Sequence, residues 1–291
     1  MKIGEIAIIG AGPAGIAAAV QLRRYGYKPE IFEQAEPGGL LKNARWVENY
    51  PGFPKGISGI KLVKLFRNQL ERDIKFRREA VLRADYRNKN FVIKTDRRTI
   101  HARILVVASG TEPIKIFSDR TQKSLDGRLY YEPRSMPRSQ GRRIAIIGAG
   151  DAAFDYALGL APVNEVLILG RPAQPRCLPV LTQCCRANPG IRYLGRSRLA
   201  GIGYDGQKVW IRLESGKSLR VDYVLVAAGR KPCLGYLEPN LRRNCRNLTQ
   251  EKKLWRIGDV KNRRYRQVGI SVGDGIRCAM EIAARIRGDT R

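Results

Sequence analysis

Gly10-Ala11-Gly12-Pro13-Ala14-Gly15 and Gly148-Ala149-Gly150-Asp151-Ala152-Ala153 are two copies of one glycine-rich pattern in a chain of 291 residues. Each copy follows a short apolar run, Ile6–Ile9 or Ile144–Ile147, that predicts a β-strand, and each opens a predicted helix. In such βαβ units the glycines permit a tight turn and let a pyrophosphate approach backbone N–H groups at a helix N-terminus. The pattern therefore predicts two dinucleotide sites.

The residue that ends the second strand of each unit distinguishes the two sites. Glu33 stands 23 residues after Gly10, and Arg171 stands 23 residues after Gly148. A carboxylate there accepts hydrogen bonds from a free ribose 2′-hydroxyl, whereas a guanidinium binds a 2′-phosphate. Arg176 could clamp the same phosphate, although both arginines could also be ordinary surface residues of a basic chain. We expect FAD at the first site and NADPH at the second.

The two copies form an internal repeat of roughly 100 residues. The first copy has a predicted helix over Pro13–Tyr25 and closes at Ser109–Pro113, while the second has a predicted strand over Leu219–Val226 and closes at Ala228–Pro232. The remaining segment, with a predicted helix over Ile276–Ile286, is too short to fold alone. The expected fold is α/β, with two Rossmann-like domains of the three-layer ββα type and the second inserted in the first. FAD is expected in residues 1–114 and 231–291, and NAD(P)H in residues 115–230.

The chain is strongly basic. It holds 55 Lys and Arg against 26 Asp and Glu, which gives a formal net charge of +29 at pH 7. Such a surface attracts polyanions and acidic proteins. The basic residues are spread along the chain and no aromatic-interleaved basic motif occurs, so we do not expect specific nucleic-acid binding. No apolar run reaches the length of a membrane span and no signal peptide is visible, which favours a cytoplasmic protein.

The cysteines and the one histidine carry little recognisable chemistry. The six cysteines include no Cys-x-x-Cys and no zinc or iron–sulfur spacing, so no metal site is expected. Cys177 adjoins Arg176, which would lower its thiol pKa, although a bystander role is favoured. Cys278 is expected in the core, Cys233 and Cys245 are expected in loops, and His101 lies in a predicted strand.

Further segments extend the pattern over nearly the whole chain. With Gly38-Gly39, Val47–Gly52, Gly258-Asp259 and Arg266-Gln267, the chain resembles the low-molecular-weight thioredoxin reductase family of FAD/NADPH flavoproteins. The resemblance implies a homodimer, with Asp259 at the ribityl chain and Arg266 and Gln267 near the isoalloxazine. The expected FAD residues are Gly10, Gly12, Pro13, Ala14, Gly15, Glu33, Gly38, Gly39, Leu40, Asn49, Ser109, Gly110, Gly258, Asp259, Arg266 and Gln267. The expected NADPH residues are Gly148, Gly150, Asp151, Ala152, Arg171, Arg176 and Gly229.

One departure from that family matters for function. Its reductases carry a redox Cys-x-x-Cys shortly before the second glycine loop, whereas the corresponding stretch here, Gly127–Pro137, has no cysteine. The missing thiols fall near Tyr131 and Arg134. A dithiol relay from flavin needs two thiols beside the ring, so this chain cannot use that route. Tyr131 is a candidate flavin neighbour, and packing at the domain hinge is the alternative.

The expected function is that of an FAD-dependent NAD(P)H oxidoreductase with an external electron acceptor. A small acidic carrier such as ferredoxin or flavodoxin suits the basic surface, because complementary fields raise encounter rates. Two alternatives stay open. One is a disulfide reductase that uses unconventional cysteines such as Cys184 and Cys185, and the other is a flavin-binding or redox-sensing protein without turnover.

Overall fold

The computed structural model describes residues 4–70 and 74–288. The first part of the chain forms β1 (Gly4–Ile9), α1 (Pro13–Arg24), β2 (Glu30–Glu33), α2 (Gly59–Leu70), β3 (Lys75–Arg78), β4 (Val81–Arg87), β5 (Asn90–Thr95), β6 (Thr99–Val107) and β7 (Thr111–Pro113). The middle forms α3 (Asp119–Ser124), β8 (Leu129–Tyr130), β9 (Arg143–Ile147), α4 (Asp151–Leu160), β10 (Glu165–Leu169), α5 (Pro179–Arg186), β11 (Ile191–Leu194), β12 (Leu199–Tyr204), β13 (Val209–Leu213), β14 (Ser218–Val221) and β15 (Tyr223–Val226). The last part forms β16 (Arg230–Pro232), α6 (Pro239–Gln250), β17 (Leu254–Arg256) and α7 (Val268–Arg287).

The chain divides into two compact units. The first unit contains the chain up to Lys42, then Val47–Glu112, and then the chain from Lys231 onward. The second unit contains Pro113–Arg230 together with the short segment Asn43–Trp46. The assignment of FAD to the first unit and of NAD(P)H to the second stays a prediction.

The first unit is built on a seven-stranded sheet in the order β3-β2-β1-β6-β5-β4, with β17 also paired to β6. Strands β3, β2, β1, β6 and β17 are parallel, and β4 and β5 continue the sheet as an antiparallel meander. One face is filled by buried residues such as Phe32, Phe91 and Leu105, against which Leu241 and Leu248 of α6 pack. A parallel sheet that begins with the β1–α1–β2 unit is the predicted Rossmann-like arrangement.

Helix α7 begins at Val268, well before the predicted start at Ile276. The early glycines of α7 hide its apolar periodicity, and they caused the error. Gly275 illustrates their role, because a Cβ atom there would lie 2.3 Å from the backbone oxygen of Ala14 in α1. The glycine therefore permits α1 and α7 to cross at close range instead of marking a helix end.

The second unit contains a parallel sheet in the order β11-β10-β9-β15-β8 and an antiparallel sheet in the order β12-β13-β14. The single strand predicted over Leu219–Val226 is wrong, because β14 and β15 belong to different sheets and are separated at Asp222. The Asp222 carboxylate is buried; it accepts the Arg143 N–H at 2.9 Å and the Lys208 ammonium at 2.6 Å. These bonds hold the chain at the point where it changes sheet.

Two helices of the first unit were not predicted. In α2 the buried residues Leu62, Val63, Phe66 and Leu70 follow helical spacing, so its amphipathic face was visible in the sequence. Helix α6 contains Cys245, which corrects the loop predicted for that residue. In the parts of the chain that the structure describes, no helix combines the length and the apolarity that a bilayer crossing requires.

Candidate functional site

The first glycine loop joins β1 to α1, and its three glycines have different steric roles. Gly10 has φ of +103°, and a Cβ there would lie 2.4 Å from the Ala108 oxygen. A Cβ at Gly15 would lie 2.0 Å from the Gly10 oxygen, which explains the tight packing of the helix on the strand. At Gly12, by contrast, a Cβ would meet nothing within 4 Å. The open space is at the N-terminus of α1, where a pyrophosphate fits.

Glu33 lies at the end of β2, beside this loop. Its carboxylate accepts the Ala11 N–H and the Ala35 N–H, each at 3.1 Å. The two bonds fix the side chain against the glycine loop, so the carboxylate is positioned where an adenosine ribose would lie. Its remaining lone pairs suit the hydroxyls of that ribose.

The segment after β2 folds back onto the same loop. The Gly38 N–H donates to the Ala11 oxygen at 2.8 Å, and a Cβ at Gly39 would lie 3.2 Å from the Gly12 Cα. Leu40 follows within the 3-10 helix Gly39–Asn43. Gly38 and Gly39, expected from the family resemblance, are thus brought to the predicted pyrophosphate site.

Gly258 and Asp259 also lie near the first turn of α1, because Gly258 adjoins Ala14. A Cβ at Gly258 would lie 2.8 Å from the Ala14 side chain. The Asp274 carboxylate accepts the Gly258 N–H at 3.0 Å, and the Ser271 hydroxyl donates to Asp259 at 3.3 Å. Sequence reasoning missed Ser271 and Asp274, although their three-residue spacing on a helix places them on one face.

Ser109 and Gly110 follow β6 and adjoin Gly10. The Ser109 hydroxyl donates to the Cys233 oxygen at 2.7 Å and accepts the Tyr236 hydroxyl at 3.1 Å. Gly110 has φ of +64° and a Cβ there would meet nothing within 4 Å. The end of the first copy is therefore tied to the third segment of the chain, within the first unit.

Asn49 and Gln267 form a second part of the expected FAD site. The Asn49 amide donates to the Gln267 side-chain oxygen at 2.8 Å, and Arg266 directly precedes that residue. Tyr50 stacks on Phe53, and burial raises its pKa. The segment from Glu48 to Pro54 lines a shallow cavity of about 310 Å³.

The second glycine loop repeats the steric pattern of the first. A Cβ at Gly148 would lie 2.4 Å from the Ala227 oxygen, whereas at Gly150 the nearest atom is the Arg176 oxygen at 4.0 Å. Ala153 occupies the third position and is completely buried, and Ala152 lies in the first turn of α4. The N-terminus of α4 is therefore also open to an anion.

The segment that carries the two arginines is fastened to this loop. The Ala149 oxygen accepts the Arg176 N–H at 2.9 Å, and the Asp151 carboxylate accepts the Leu178 N–H at 2.8 Å. Both guanidinium side chains, of Arg171 and Arg176, are exposed, and neither forms a salt bridge within the described ranges. Gly229, with φ of +113°, lies just beyond β15. The second unit thus has two exposed arginines on a segment that is bonded to the loop before α4.

The thiols are poorly suited to exchange chemistry. Burial raises the pKa of Cys177, whose sulfur lies 3.1 Å from the Thr182 hydroxyl, and this corrects the lowered value predicted from Arg176. Cys184 is exposed but Cys185 is buried, and burial raises the pKa of Cys185 to about 12. Cys278 is buried, as predicted. Across residues 4–70 and 74–288, no cluster of three or more His, Cys, Asp or Glu could hold a metal ion.

Tyr131 occupies the stretch where a Cys-x-x-Cys is missing. Its hydroxyl donates to Gln122 at 3.1 Å, and its ring packs with Phe117 and Leu129 against the core of the second unit. Burial raises its pKa. Its role as a flavin neighbour stays a prediction.

Comparisons with known proteins agree with this geometry. Residues 4–275 match the family model described as pyridine nucleotide-disulphide oxidoreductase. The chain is 27% identical to a mitochondrial thioredoxin reductase 1 of Arabidopsis thaliana, over 95% of this chain and 82% of that protein. Its fold matches thioredoxin reductase of Lactococcus lactis at 23% identity, with a TM-score of 0.86 over 98% of this chain and 99% of that one. It also matches thioredoxin reductase of T. acidophilum at 24% identity, with a TM-score of 0.85 over 99% and 100% of the two chains. This chain therefore belongs to the pyridine nucleotide-disulphide oxidoreductase family, as a flavoprotein of the thioredoxin reductase-like type.

Proposed function

We propose that this protein is an FAD-dependent oxidoreductase that takes electrons from NADPH and delivers them to an external acceptor. One observation carries the proposal: two glycine loops of equivalent geometry adjoin residues of opposite charge, an acidic one at the first loop and a basic one at the second. Glu33 is bonded to the first loop, and the Arg176 backbone is bonded to the second. A free ribose and a 2′-phosphorylated ribose are the two ligands that this difference discriminates.

The first unit would hold FAD through groups that the fold brings together. The backbone N–H groups at the start of α1 would face the pyrophosphate above Gly12, and Glu33 would accept the ribose hydroxyls. Asp259, fixed by Ser271, would accept a hydroxyl of the ribityl chain. When bound there, FAD would supply the chemistry that the protein's side chains lack, namely uptake of two electrons as a hydride and their release one at a time.

The second unit would bind NADPH with the same backbone geometry. The start of α4 would face its pyrophosphate, and Arg171 and Arg176 would bind its 2′-phosphate through charge-assisted hydrogen bonds. Asp151 would keep Arg176 beside the loop through its bond to the Leu178 N–H. We infer that NADPH is preferred over NADH for this reason.

The acceptor is inferred from what the chain lacks and from its charge. Without a Cys-x-x-Cys, electrons have no dithiol through which to reach thioredoxin. The net charge of +29 favours a small acidic one-electron carrier such as ferredoxin or flavodoxin. A disulfide reductase built on Cys184 and Cys185 fits the geometry less well, because burial keeps Cys185 protonated. By family resemblance we also propose a homodimer and a cytoplasmic location.

The decisive experiment is an anaerobic titration of the purified protein with NADPH, followed by the flavin absorbance. We expect a yellow protein whose flavin bleaches within seconds. Replacing both Arg171 and Arg176 with alanine should raise the NADPH concentration that gives half-maximal flavin reduction by about tenfold or more. The corresponding NADH concentration should stay nearly unchanged. Arg138→Ala with Arg198→Ala is the matched control, since both residues are exposed in the second unit.

Three outcomes would contradict the proposal. A colourless protein that does not take up added FAD would remove the first site. A flavin that stays oxidised under NADPH would favour the alternative of a binding protein without turnover. If the apparent affinity for NADPH fell equally in the arginine variant and in its control, Arg171 and Arg176 would not be the residues that bind the 2′-phosphate.

A further inference from the structure

A cluster of cations lies beside the proposed FAD site. Lys261, Arg263, Arg264 and Arg266 occur within six residues and surround Tyr265; we name residues Lys261–Arg266 the basic loop. Tyr265 is 62% exposed, more than any other large hydrophobic residue in the described ranges. Arg263 and Arg264 are also exposed. An aromatic ring flanked by arginines is the composition typical of protein-binding hot spots.

The basic loop is held in a defined conformation. The Asn262 amide donates to the Asp274 carboxylate at 2.7 Å, the same carboxylate that accepts the Gly258 N–H. The Tyr265 N–H donates to the Asn262 oxygen at 2.8 Å, closing a turn. Because the loop is anchored through Asn262, its outward side chains are presented with little ordering cost on binding.

Within this turn the arginine and the aromatic ring form one surface. The Arg264 guanidinium lies 5.1 Å from the centre of the Tyr265 ring and donates to its hydroxyl at 3.0 Å. A guanidinium stacked in this way stays fully charged and keeps other donors for an incoming carboxylate. The pair therefore combines an apolar contact with positive charge.

Salt bridges neutralise some arginines of the first unit. Arg77 pairs with Glu30 at 2.7 Å, and Arg98 pairs with Glu79 at 3.2 Å. Among the described residues, no carboxylate forms a salt bridge with Arg263 or Arg264. Positive charge that is not locally compensated steers a negatively charged partner to this place.

The sequence position of the basic loop connects it to electron transfer. It begins shortly after Gly258-Asp259 and ends directly before Gln267, the partner of Asn49. The family resemblance implies that the ribityl chain lies at the first of these ends and the isoalloxazine at the second. A protein docked on the loop would lie beside the proposed exit point of the electrons.

We propose that the basic loop is the docking surface for a small acidic protein that carries a one-electron redox centre. This inference rests on the proposed function and specifies the partner of the same site. The stoichiometry balances when one NADPH reduces two carrier molecules and yields NADP⁺ and one proton. The carrier would use its carboxylates on Arg263 and Arg264 and an apolar spot on Tyr265.

Direct binding tests the proposal without turnover. The probe is a purified acidic [2Fe–2S] ferredoxin, titrated into the oxidised holoprotein in a calorimeter at low and at moderate salt. We expect Arg263→Glu with Arg264→Glu to weaken binding by about tenfold or more and to flatten its salt dependence. Tyr265→Ala should also weaken ferredoxin binding, although it leaves the net charge of the protein unchanged. Arg243→Glu with Arg246→Glu, exposed on α6, is the control with the same charge change.

A second measurement separates this proposal from the proposed function. Reduction of a small neutral benzoquinone by NADPH reports flavin turnover without a docked protein, and it should be equal in the wild type and all variants. If the wild type reduces no quinone, the proposed function fails. If quinone is reduced but ferredoxin does not bind, or binds equally to the loop variant and the α6 control, the docking surface is wrong.

Discussion

At the scale of single residues, the glycine loops were predictable because their sterics are local. Gly10 and Gly148 each sit so close to a neighbouring backbone oxygen that a Cβ would clash at 2.4 Å. The partners of these loops were less predictable. The sequence spacing of Asp151 and Leu178 does not predict their hydrogen bond. That bond depends on how the chain after β10 folds back toward the second glycine loop.

Substitutions of Asp151 test whether this hydrogen bond positions the segment that carries Arg176. A carboxylate at a helix N-terminus repels a pyrophosphate, so we attribute its presence to the hold it has on the segment that carries Arg176. Asp151→Ala should weaken NADP⁺ binding by about tenfold, the equivalent of about 1.4 kcal/mol, and weaken NAD⁺ binding less. Asp151→Asn keeps an acceptor oxygen for the Leu178 N–H, so it should retain most of the NADP⁺ affinity that Asp151→Ala loses.

Calorimetric titration of both nucleotides distinguishes this role from simple repulsion. If repulsion dominated, Asp151→Ala would tighten the binding of both nucleotides, in contradiction to the positioning role.

The vicinal cysteines provide a second test at this scale. Because burial raises the pKa of Cys185 to about 12, only about one in ten thousand of its thiols is ionised near pH 8. Iodoacetamide should therefore modify Cys184 in the native protein and spare Cys185 until the protein is denatured. Peptide mass spectrometry reads this out, with Cys184→Ser as the control, and rapid native labelling of Cys185 would revive the disulfide-reductase alternative.

At the scale of elements, most strands were predicted because apolar runs of strand length are flanked by turn residues. The errors have physical causes. The glycines of α7 hid its first two turns, and the unbroken apolar pattern from Leu219 to Val226 concealed a change of sheet at Asp222. Tertiary contacts decide both features, since one requires the close approach of α1 and the other a buried set of hydrogen bonds.

The crossing of α1 and α7 predicts opposite effects for two glycines of one helix. At Gly275 a Cβ would lie 2.3 Å from the Ala14 oxygen, whereas at Gly273 it would meet nothing within 4 Å. Gly275→Ala should lower the free energy of unfolding by about 2 kcal/mol or more, while Gly273→Ala should raise it by about 0.5–1 kcal/mol. Urea denaturation measures both, and similar effects of the two substitutions would show that the helices do not cross so closely.

Asp222 predicts a pH-dependent contribution to stability. Burial acts to raise its pKa, but Lys208, the Arg143 N–H and Arg142 outweigh burial and hold the pKa below its ordinary value. A lowered folded-state pKa means that the stabilisation is present above the ordinary pKa and is lost as the pH falls through the folded value. Asp222→Asn should therefore lower the free energy of unfolding by about 1–3 kcal/mol at neutral pH and by much less in acid.

Denaturant unfolding at several pH values checks this expectation. Glu214→Gln, an exposed carboxylate in the same unit, is the control and should show little effect at any pH. A cost of Asp222→Asn that stays constant into acid would mean that packing, not charge, is responsible.

At the scale of the whole molecule, the two-unit architecture followed from recognising an internal repeat, and the basic character followed from composition alone. The placement of that charge could not be predicted. Arg98 is a partner of buried Glu79, whereas Arg263 and Arg264 are exposed without a salt bridge among the described residues. Only the fold distinguishes cations that stabilise a sheet from cations presented to a partner.

The net charge predicts weak and unspecific attraction to nucleic acid. Two labelled DNA duplexes of unrelated sequence should bind equally, within about twofold, and should lose about tenfold or more in affinity between low and physiological salt. Fluorescence anisotropy measures both quantities. A clear preference for one sequence at physiological salt would contradict the absence of specific recognition.

The short strand β8 limits how this chain could be engineered into a thioredoxin reductase. Leu129 and Tyr130 pair in register with β15, and the ring of the next residue, Tyr131, packs against the core of the second unit. Cysteines grafted near Tyr131 and Arg134 would leave a void where the Tyr131 ring packs and place the first sulfur next to the edge strand β8. Introducing a working thiol pair would therefore require repacking the surroundings of Tyr131 as well as adding two sulfurs.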